Sequence, residues 1–219
     1  MITIENLYFK YREAQGFELK IKELKIADGE KCCIVGPSGS GKTTLVNLLT
    51  GIYKPVSGTI RIDNMDISDR NEKEIRGFRI NSIGYIFQDF GLIDYLNVED
   101  NILLPVYLSP GMSVNRSMKE RVDYLLTRLN LGDKRSSFSR QLSQGEKQRV
   151  SIARAVLLKP RIIIGDEATG NLDAKTTEKI MELLLEAVAE SGSTFIFITH
   201  NLLLMKYFKR VIDIIELNK

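Results

Sequence analysis

The segment GPSGSGKT, residues Gly36 to Thr43, constrains the fold more than any other stretch of this 219-residue chain. It follows the apolar run EKCCIVG, which predicts a buried strand, and it precedes a helix predicted from about Lys42 to Thr50. Its spacing, G-x-x-x-x-G-K-[ST], is typical of a loop whose backbone N–H groups surround phosphate oxygens at a helix N-terminus. The chain is therefore predicted to bind a nucleoside triphosphate at this strand–loop–helix unit.

Individual positions in this loop have definite chemical roles. The Lys42 ammonium can reach the β- and γ-phosphates, and the Thr43 hydroxyl can coordinate Mg²⁺. Guanine-selective proteins of this class usually carry an N-K-x-D segment, and none lies at a suitable place, so ATP is the favoured nucleotide. The residues predicted to contact the nucleotide here are Gly36, Pro37, Ser38, Gly39, Ser40, Gly41, Lys42, Thr43 and Thr44.

Strands and helices alternate along much of the chain, which predicts an α/β fold with a parallel sheet and helices on both faces. Residues 2–27 instead alternate apolar and polar residues twice, as half-buried antiparallel strands do. RIIIGD, TFIFIT and RVIDIIEL are predicted as further strands. Residues 89–159 are predicted to form an inserted helical subdomain. Residues 1–88 and 160–219 would then form the nucleotide-binding core, with the antiparallel strands as a β subdomain.

Composition narrows the setting of the protein. No apolar run approaches the roughly 18 to 20 residues that cross a bilayer, and the N-terminus lacks a secretion signal. Cys32 and Cys33 are adjacent in a predicted strand and point to opposite faces, which does not suit a disulfide and favours a reducing compartment. These features predict a soluble cytosolic protein.

The charge balance gives no support to a nucleic-acid partner, because the net charge is only +3. Basic residues are nevertheless concentrated in residues 115–161, which hold 12 Lys or Arg and 4 Asp or Glu. This bias fits either a solvated helical surface or a lobe that contacts phosphate or an acidic partner.

Two acids end the apolar strand IIIGDE, and open α/β sheets bind ligands at the carboxyl ends of their strands. Asp166 is predicted to hold the Mg²⁺ shell, and Glu167 to orient and polarise the attacking water. His200, the only histidine, follows TFIFIT at the same kind of edge and is assigned a phosphate contact, although a lone histidine can also be structural. Gln88 follows SIGYIF and could contact the metal or the water.

The segment LSQGE begins a helix and carries no catalytic group. Ser143 can cap this helix, and Gly145 lets the backbone approach an anion at the positive end of the helix dipole. A nucleotide already wrapped by the Lys42 loop cannot easily be reached by a separate helix of the same chain. We therefore expect a head-to-tail homodimer, in which each copy covers the γ-phosphate held by the other.

Together these motifs resemble the ATP-binding cassette family, the nucleotide-binding subunits of ABC transporters, over essentially the whole chain, 1–219. GPSGSGKT resembles the Walker A motif, IFQDF the Q-loop, LSQGE the signature, IIIGDE the Walker B motif, GNLD the D-loop and THN the switch histidine. The resemblance implies a P-loop NTPase core, ATP and Mg²⁺ as ligands, and a nucleotide contact for Asp173 of the D-loop. It also places Tyr11 where an aromatic ring stacks on adenine, although Tyr8 and Phe9 lie close by.

The chain departs from the family pattern at several positions. Gln144 and Glu146 replace the usual glycine and glutamine of the signature. Ala168 follows the glutamate where proline is common, and Gly165 stands where a larger residue is usual. The two signature positions with a phosphate-contact rationale are kept, so activity is expected to survive.

The predicted function is an ATPase subunit that drives a separate transmembrane permease from the cytoplasmic face of the membrane. ATGNLD and the residues after the Q-loop resemble the macrolide-export, lipoprotein-release, cell-division and peptide-export branch. One alternative is an ATPase of cell-division type, which regulates a membrane complex without transport. A ribosome- or DNA-acting ATPase is disfavoured because the chain shows neither a second cassette nor a long coiled coil, and LSQGE disfavours a phosphotransferase.

Overall fold

The computed structural model describes residues 1–11 and 16–218. Its strands are β1 Ile2–Lys10, β2 Glu18–Ile26, β3 Lys31–Val35, β4 Ser57–Ile62, β5 Met65–Asp66, β6 Ile83–Ile86, β7 Ile162–Asp166, β8 Thr194–Thr199 and β9 Arg210–Asp213. Its helices are α1 Lys42–Leu49, α2 Glu72–Ser82, α3 Val98–Leu108, α4 Arg116–Arg128, α5 Gln144–Val156, α6 Ala174–Ser191 and α7 Ile214–Leu217. Short 3-10 segments occupy Gly132–Lys134, Ser139–Gln141 and Leu202–Tyr207.

The chain divides into two compact units. The first comprises Met1–Arg79 and Thr194–Lys219, and the second is Ile80–Ser193. The helical subdomain expected from the sequence, residues 89–159, stays a prediction. No helix in the described part of the chain is both long and apolar enough to span a membrane.

The first unit contains an antiparallel sheet in the order β2-β1-β4-β5. Residues of β1 pair with β2 from Ile2↔Ile26 to Lys10↔Glu18. Alternate positions of both strands are buried, among them Ile2 and Ile4, because successive side chains of a strand point to opposite faces. The antiparallel strands predicted in residues 2–27 are confirmed.

The first unit also contains parallel strands, since β3 pairs in parallel with both β8 and β9. Val35 at the end of β3 is opposite Thr199 at the end of β8. The chain segments that follow these two residues therefore leave the sheet at the same edge. Cys32 and Cys33 are free thiols buried in β3, as predicted.

The second unit pairs β6 with β7 in parallel, from Ile83↔Ile162 to Ile86↔Gly165. Helices α3, α4, α5 and α6 complete it. The apolar side of α4 is buried through Val122, Leu125 and Leu126, as its 3.6-residue periodicity predicts. Parallel strands, helices and a separate antiparallel sheet together confirm the predicted α/β fold class.

One local prediction is wrong, and one helix was not predicted. RVIDIIEL is a strand only as far as Asp213, because the Asp213 carboxylate accepts from the backbone N–H of Ile215 (2.8 Å) and caps the short helix α7. Helix α2 was not predicted. It buries only Ile75 and Phe78, too few apolar residues to produce a clear helical period.

Candidate active site

The phosphate loop joins β3 to α1, as predicted. A Cβ atom at Gly36 would lie 2.4 Å from Ile214 Cγ2 and 2.9 Å from Ser40 Oγ, so this turn accepts no side chain there. Helix α1 begins after Gly41, which provides no side-chain cap. The first-turn N–H groups of α1 are therefore not capped by a side chain, and a helix start of this kind binds anions readily.

Lys42 lies inside the loop. The residue is 6% exposed, and Nζ donates to the carbonyl oxygens of Gly36 (2.8 Å) and Pro37 (2.9 Å). Ser40 Oγ is buried and has no hydrogen-bond partner among the described residues, 1–11 and 16–218. Phosphate oxygens would satisfy both the enclosed ammonium and the unpartnered hydroxyl, so the residues present fit a triphosphate.

The aromatic candidates for adenine stacking occupy different environments. Tyr11 OH forms a 2.7 Å hydrogen bond with Thr44 Oγ1 in α1. The Tyr11 ring packs edge-on against Phe9, with centroids 5.0 Å apart. Phe9 is buried, and Tyr8 OH donates to Glu18 on the neighbouring strand (2.8 Å). Tyr11 thus contacts the helix that carries the phosphate loop.

His200 lies directly after β8, in the first unit. Because Val35 and Thr199 are paired, His200 and Gly36 follow equivalent strand ends at one edge of the sheet. The His200 side chain is exposed. The phosphate loop, Tyr11 and His200 therefore belong to one compact unit.

The second unit places two acids at the end of β7. Asp166 Oδ2 accepts a hydrogen bond from Tyr85 OH (2.9 Å) on the neighbouring strand β6. Burial raises the pKa of Tyr85, so its hydroxyl stays a donor. Glu167 has a left-handed backbone (φ 48°), rare for a non-glycine residue, and its carbonyl accepts from Gly170 N (2.9 Å). This turn fixes where the Glu167 side chain leaves the strand.

Gln88 lies two residues beyond β6 and is exposed. Its carbonyl oxygen accepts from Asn171 Nδ2 (2.8 Å). Its side-chain Nε2 lies 3.4 Å from the position of a Cβ atom built on Gly170. The Q-loop and the D-loop are therefore in direct contact within the second unit.

Helix α5 begins with a reciprocal capping pair. Ser143 Oγ accepts from Glu146 N (3.3 Å), and Glu146 Oε2 accepts from Ser143 N (2.7 Å). The prediction that Ser143 caps the helix is confirmed. Glu146, a departure from the family pattern, closes the capping box and also lies 3.6 Å from Lys134 Nζ.

We expect Glu146 to make stability depend on pH. Hydrogen bonds from Ser143, followed by the nearby cations, lower its pKa in the folded protein. The carboxylate therefore stabilises the fold above the unfolded-state pKa, and this contribution is lost as pH falls through the folded pKa. In urea unfolding, the free-energy difference between wild type and Glu146→Gln should shrink between about pH 7 and about pH 3.5.

The matched control is Glu120→Gln, which changes a more exposed carboxylate paired with Arg116 on α4. Surface pairs of this kind contribute little, so its difference from wild type should stay small at both pH values. An unchanged difference for Glu146→Gln across the same range would contradict the assigned role of the carboxylate.

The D-loop helix begins beside the signature helix. Asp173 caps α6 by accepting from Thr176 N (3.0 Å) and Thr176 Oγ1 (2.6 Å), which lowers the Asp173 pKa. A Cβ atom at Gly145 would lie 3.3 Å from Thr176 Cγ2. The starts of α5 and α6 are therefore neighbours. The second unit contains six of the predicted site residues, namely Gln88, Ser143, Gly145, Asp166, Glu167 and Asp173.

Comparison with known proteins identifies the family. The family described as ABC transporter matches residues 19–170. The ABC transporter ATP-binding protein YtrE of Bacillus subtilis is 43% identical over 192 residues, 88% of this chain and 82% of YtrE. The chain belongs to the ABC transporter family.

Two further comparisons agree. The lipoprotein-releasing system ATP-binding protein LolD of Syntrophus aciditrophicus is 38% identical over 203 residues, 92% of this chain and 90% of LolD. The dimeric post-hydrolysis structure of the cassette MJ0796 of Methanocaldococcus jannaschii, bound to ADP and Pi, matches with a TM-score of 0.84 and 34% identity. That match covers 97% of this chain and 94% of MJ0796. The predicted family and activity are confirmed: the chain is an ATP-binding, ATP-hydrolysing ABC subunit.

Three contacts in this ABC ATPase were not predicted. Tyr85 donates to Asp166, and Asn171 donates to the carbonyl oxygen of Gln88. Arg154 donates to the carbonyl oxygens of Phe90 and Gly91. Tyr85 and Arg154 are polar residues in the otherwise apolar runs IGYIF and IARAV, and that contrast was the available signal. Asn171 belongs to the D-loop motif, but its sequence position does not identify its partner.

Proposed function

We propose that two copies of this ABC ATPase close head to tail around two molecules of MgATP, and that hydrolysis reopens them to drive a separate permease. One observation carries the proposal: the chain has two helix starts suited to phosphate, α1 after Gly41 and α5 after Ser143. They belong to different compact units. The dimer of MJ0796 supports pairing of two copies.

In the proposed site, the first unit of each copy holds ATP. The Tyr11 ring stacks on adenine. Lys42 and the backbone N–H groups of the loop bind the phosphates. The Ser40 hydroxyl, which has no partner in the described part of the chain, donates to a phosphate oxygen. The residues assigned to the phosphates are Gly36, Pro37, Ser38, Gly39, Ser40, Gly41, Lys42, Thr43 and Thr44.

Three oxygen donors suit a magnesium ion. Mg²⁺ in nucleotide sites takes few ligands from the protein and the rest from phosphates and water. The Thr43 side chain is exposed in the first turn of α1, Asp166 ends β7, and Gln88 is exposed in the Q-loop. We assign these three residues to Mg²⁺, which when bound would neutralise charge on the phosphates.

Glu167 is the proposed general base. Its carboxylate accepts a proton from the water that attacks the γ-phosphorus, and ADP leaves with the broken bond's electrons. Gln88 orients the same water, and His200 donates a hydrogen bond to the γ-phosphate. The strained backbone of Glu167 supports this role, because such conformations persist where the surrounding structure fixes a side chain for function.

The second copy completes each site. The start of its α5 presents Ser143 and Gly145 to the γ-phosphate, where the helix dipole favours negative charge. Asp173 contributes at the adjacent start of α6. This arrangement accounts for a capped, glycine-bearing helix start that lacks any catalytic group.

A transmembrane permease is the proposed partner, with the ATPase on the cytoplasmic face of the membrane and no role for nucleic acid. Residues 89–159, as the helical subdomain, and the Q-loop would contact it. The proposed system is an exporter of the lipoprotein, peptide or macrolide type. The name of LolD, a protein of a lipoprotein-releasing system, supports export over regulation without transport. Exposed apolar side chains in this part of the chain, which suit a protein contact, include Phe87, Tyr95, Tyr107, Leu108 and Met112.

Replacement of Lys42 by methionine tests the phosphate site. A hydrogen bond to a charged group is worth about 2 kcal/mol, so ATP affinity should fall at least about tenfold. Equilibrium titration with a fluorescent ATP analogue measures the change, with Lys54→Met, an exposed lysine beyond α1, as the control. If Lys42→Met bound ATP with wild-type affinity, the phosphate loop would not be the ATP-binding site.

A further inference from the structure

Arg154 is a buried cation in the second half of α5. The residue is 7% exposed, and its neighbours Ala153 and Ala155 are buried. Burial lowers the pKa of the guanidinium to about 10, which leaves it charged at neutral pH. Burying a charge costs free energy unless its hydrogen-bond donors are satisfied. The groups that Arg154 contacts therefore indicate its role.

The guanidinium binds the backbone of one short turn, Phe87–Gly91, called here the Q-loop turn. Nη2 donates to the carbonyl oxygen of Phe90 (2.7 Å), and Nη1 donates to that of Gly91. Arg154 Cζ also lies 5.9 Å from the centroid of the Phe87 ring. The planar guanidinium holds two successive carbonyl groups at once, which an ammonium group cannot do with the same geometry.

The Q-loop turn needs this support because its backbone is unusual. Phe90 (φ 65°) and Gly91 (φ 56°) are both left-handed, a conformation unfavourable for phenylalanine. A Cβ atom at Gly91 would lie 2.8 Å from the Phe87 ring and 3.3 Å from Arg154 Nη2. The guanidinium therefore packs directly on the turn that it binds.

Helix α5 connects this turn to the signature. From Ser143 to Arg154 a helix of this length spans about 16 Å, at 1.5 Å per residue. One end carries the residues proposed to contact the γ-phosphate held by the second copy. The other end holds the Q-loop turn, whose Gln88 is also bonded to Asn171 through its carbonyl oxygen.

We propose that Arg154 is a positioning residue that fixes the Q-loop turn to the signature helix, so that Gln88 and the Ser143 helix start move together. The inference rests on the proposed role of Gln88 at the reaction centre. When ATP binding between two copies displaces the start of α5, Arg154 transmits that displacement to the turn that presents Gln88. Arg154 then acts on hydrolysis through Gln88 and not by touching the nucleotide.

A double-mutant cycle between Arg154→Lys and Gln88→Ala tests this role. Arg154→Lys keeps the positive charge but loses the planar group that donates to two carbonyl oxygens at once. Gln88 then loses its position, so kcat should fall about tenfold, while the KM for ATP should stay within about twofold of wild type. In the Gln88→Ala background the same change should lower kcat less than about twofold, because coupled residues are not additive. Arg128→Lys, at an exposed pair with Glu186, is the matched control.

The outcomes separate the two hypotheses. If Gln88→Ala alone leaves kcat unchanged, the proposed role of Gln88 fails and the inference falls with it. If Gln88→Ala lowers kcat but Arg154→Lys lowers it equally in both backgrounds, Arg154 contributes only to stability and the inference alone is overturned. If Arg154→Lys does not fold, Gly91→Ala is the second variant, because its Cβ atom would lie 2.8 Å from the Phe87 ring and 3.3 Å from Arg154 Nη2 and so disturbs the same contact. It must give the same non-additive pattern.

Discussion

The Glu167→Gln variant is expected to bind ATP normally and to hydrolyse it at least about 100-fold more slowly than wild type, because a positioned general base contributes roughly 10²- to 10⁴-fold. Glutamine has nearly the same shape but cannot accept the proton of the attacking water. ATP therefore stays intact between two copies. The variant should accumulate as an ATP-bound dimer.

Size-exclusion chromatography with light scattering, run with MgATP, measures this accumulation, and phosphate release measures turnover. Glu182→Gln is the matched control, since it changes an exposed glutamate of α6. We expect the control to resemble wild type in both measurements. A Glu167→Gln variant that turns over at the wild-type rate would exclude Glu167 as the base.

The Gly145→Asp variant is expected to keep ATP binding and to lose turnover, again by at least about 100-fold. Two like charges about 4 Å apart near a protein surface repel by about 4 kcal/mol, and the new carboxylate would face the γ-phosphate held by the second copy. The helix start already carries the Glu146 carboxylate, so a second carboxylate would weaken its preference for a further anion. Lys42 and the rest of the first unit are unchanged, so nucleotide affinity is not affected.

Gly145→Asn is the control that isolates charge, because it adds a side chain of the same shape. The nearest neighbours of a Cβ atom at this position are Thr176 Cγ2 at 3.3 Å and Arg149 Nη1 at 3.7 Å, so both variants meet the same packing. The asparagine variant should retain at least about tenfold more activity than the aspartate variant, because uncharged groups lack the repulsion. Equal activity in the two would assign the effect to shape and not to charge.

Sequence patterns predicted those parts of the molecule that are determined locally. GPSGSGKT specified a turn and helix start, and Ser143 formed the cap expected of it. RVIDIIEL illustrates the limit, because short apolar runs suit either a strand or a buried helical turn. Its second half is helical since Asp213 caps the turn and Ile214 is fully buried.

The contacts that were not predicted join distant parts of the chain. Tyr85 binds Asp166 across 81 residues, and Arg154 binds Gly91 across 63. Hydrophobic periodicity reports which face of an element is buried and carries no information about which polar groups meet there. The position of Gln88 against the D-loop is therefore a tertiary result, although the motif itself was recognisable.

The most direct test of shared sites is to mix Glu167→Gln and Gly145→Asp chains before MgATP is added. In a mixed dimer, the nucleotide site of the Gly145→Asp chain meets the intact signature of the Glu167→Gln chain, so one complete site forms. ATP hydrolysis should reappear in the mixture although each variant alone is inactive. A mixture that forms mixed dimers and stays as inactive as its two components would show that each copy completes its own site.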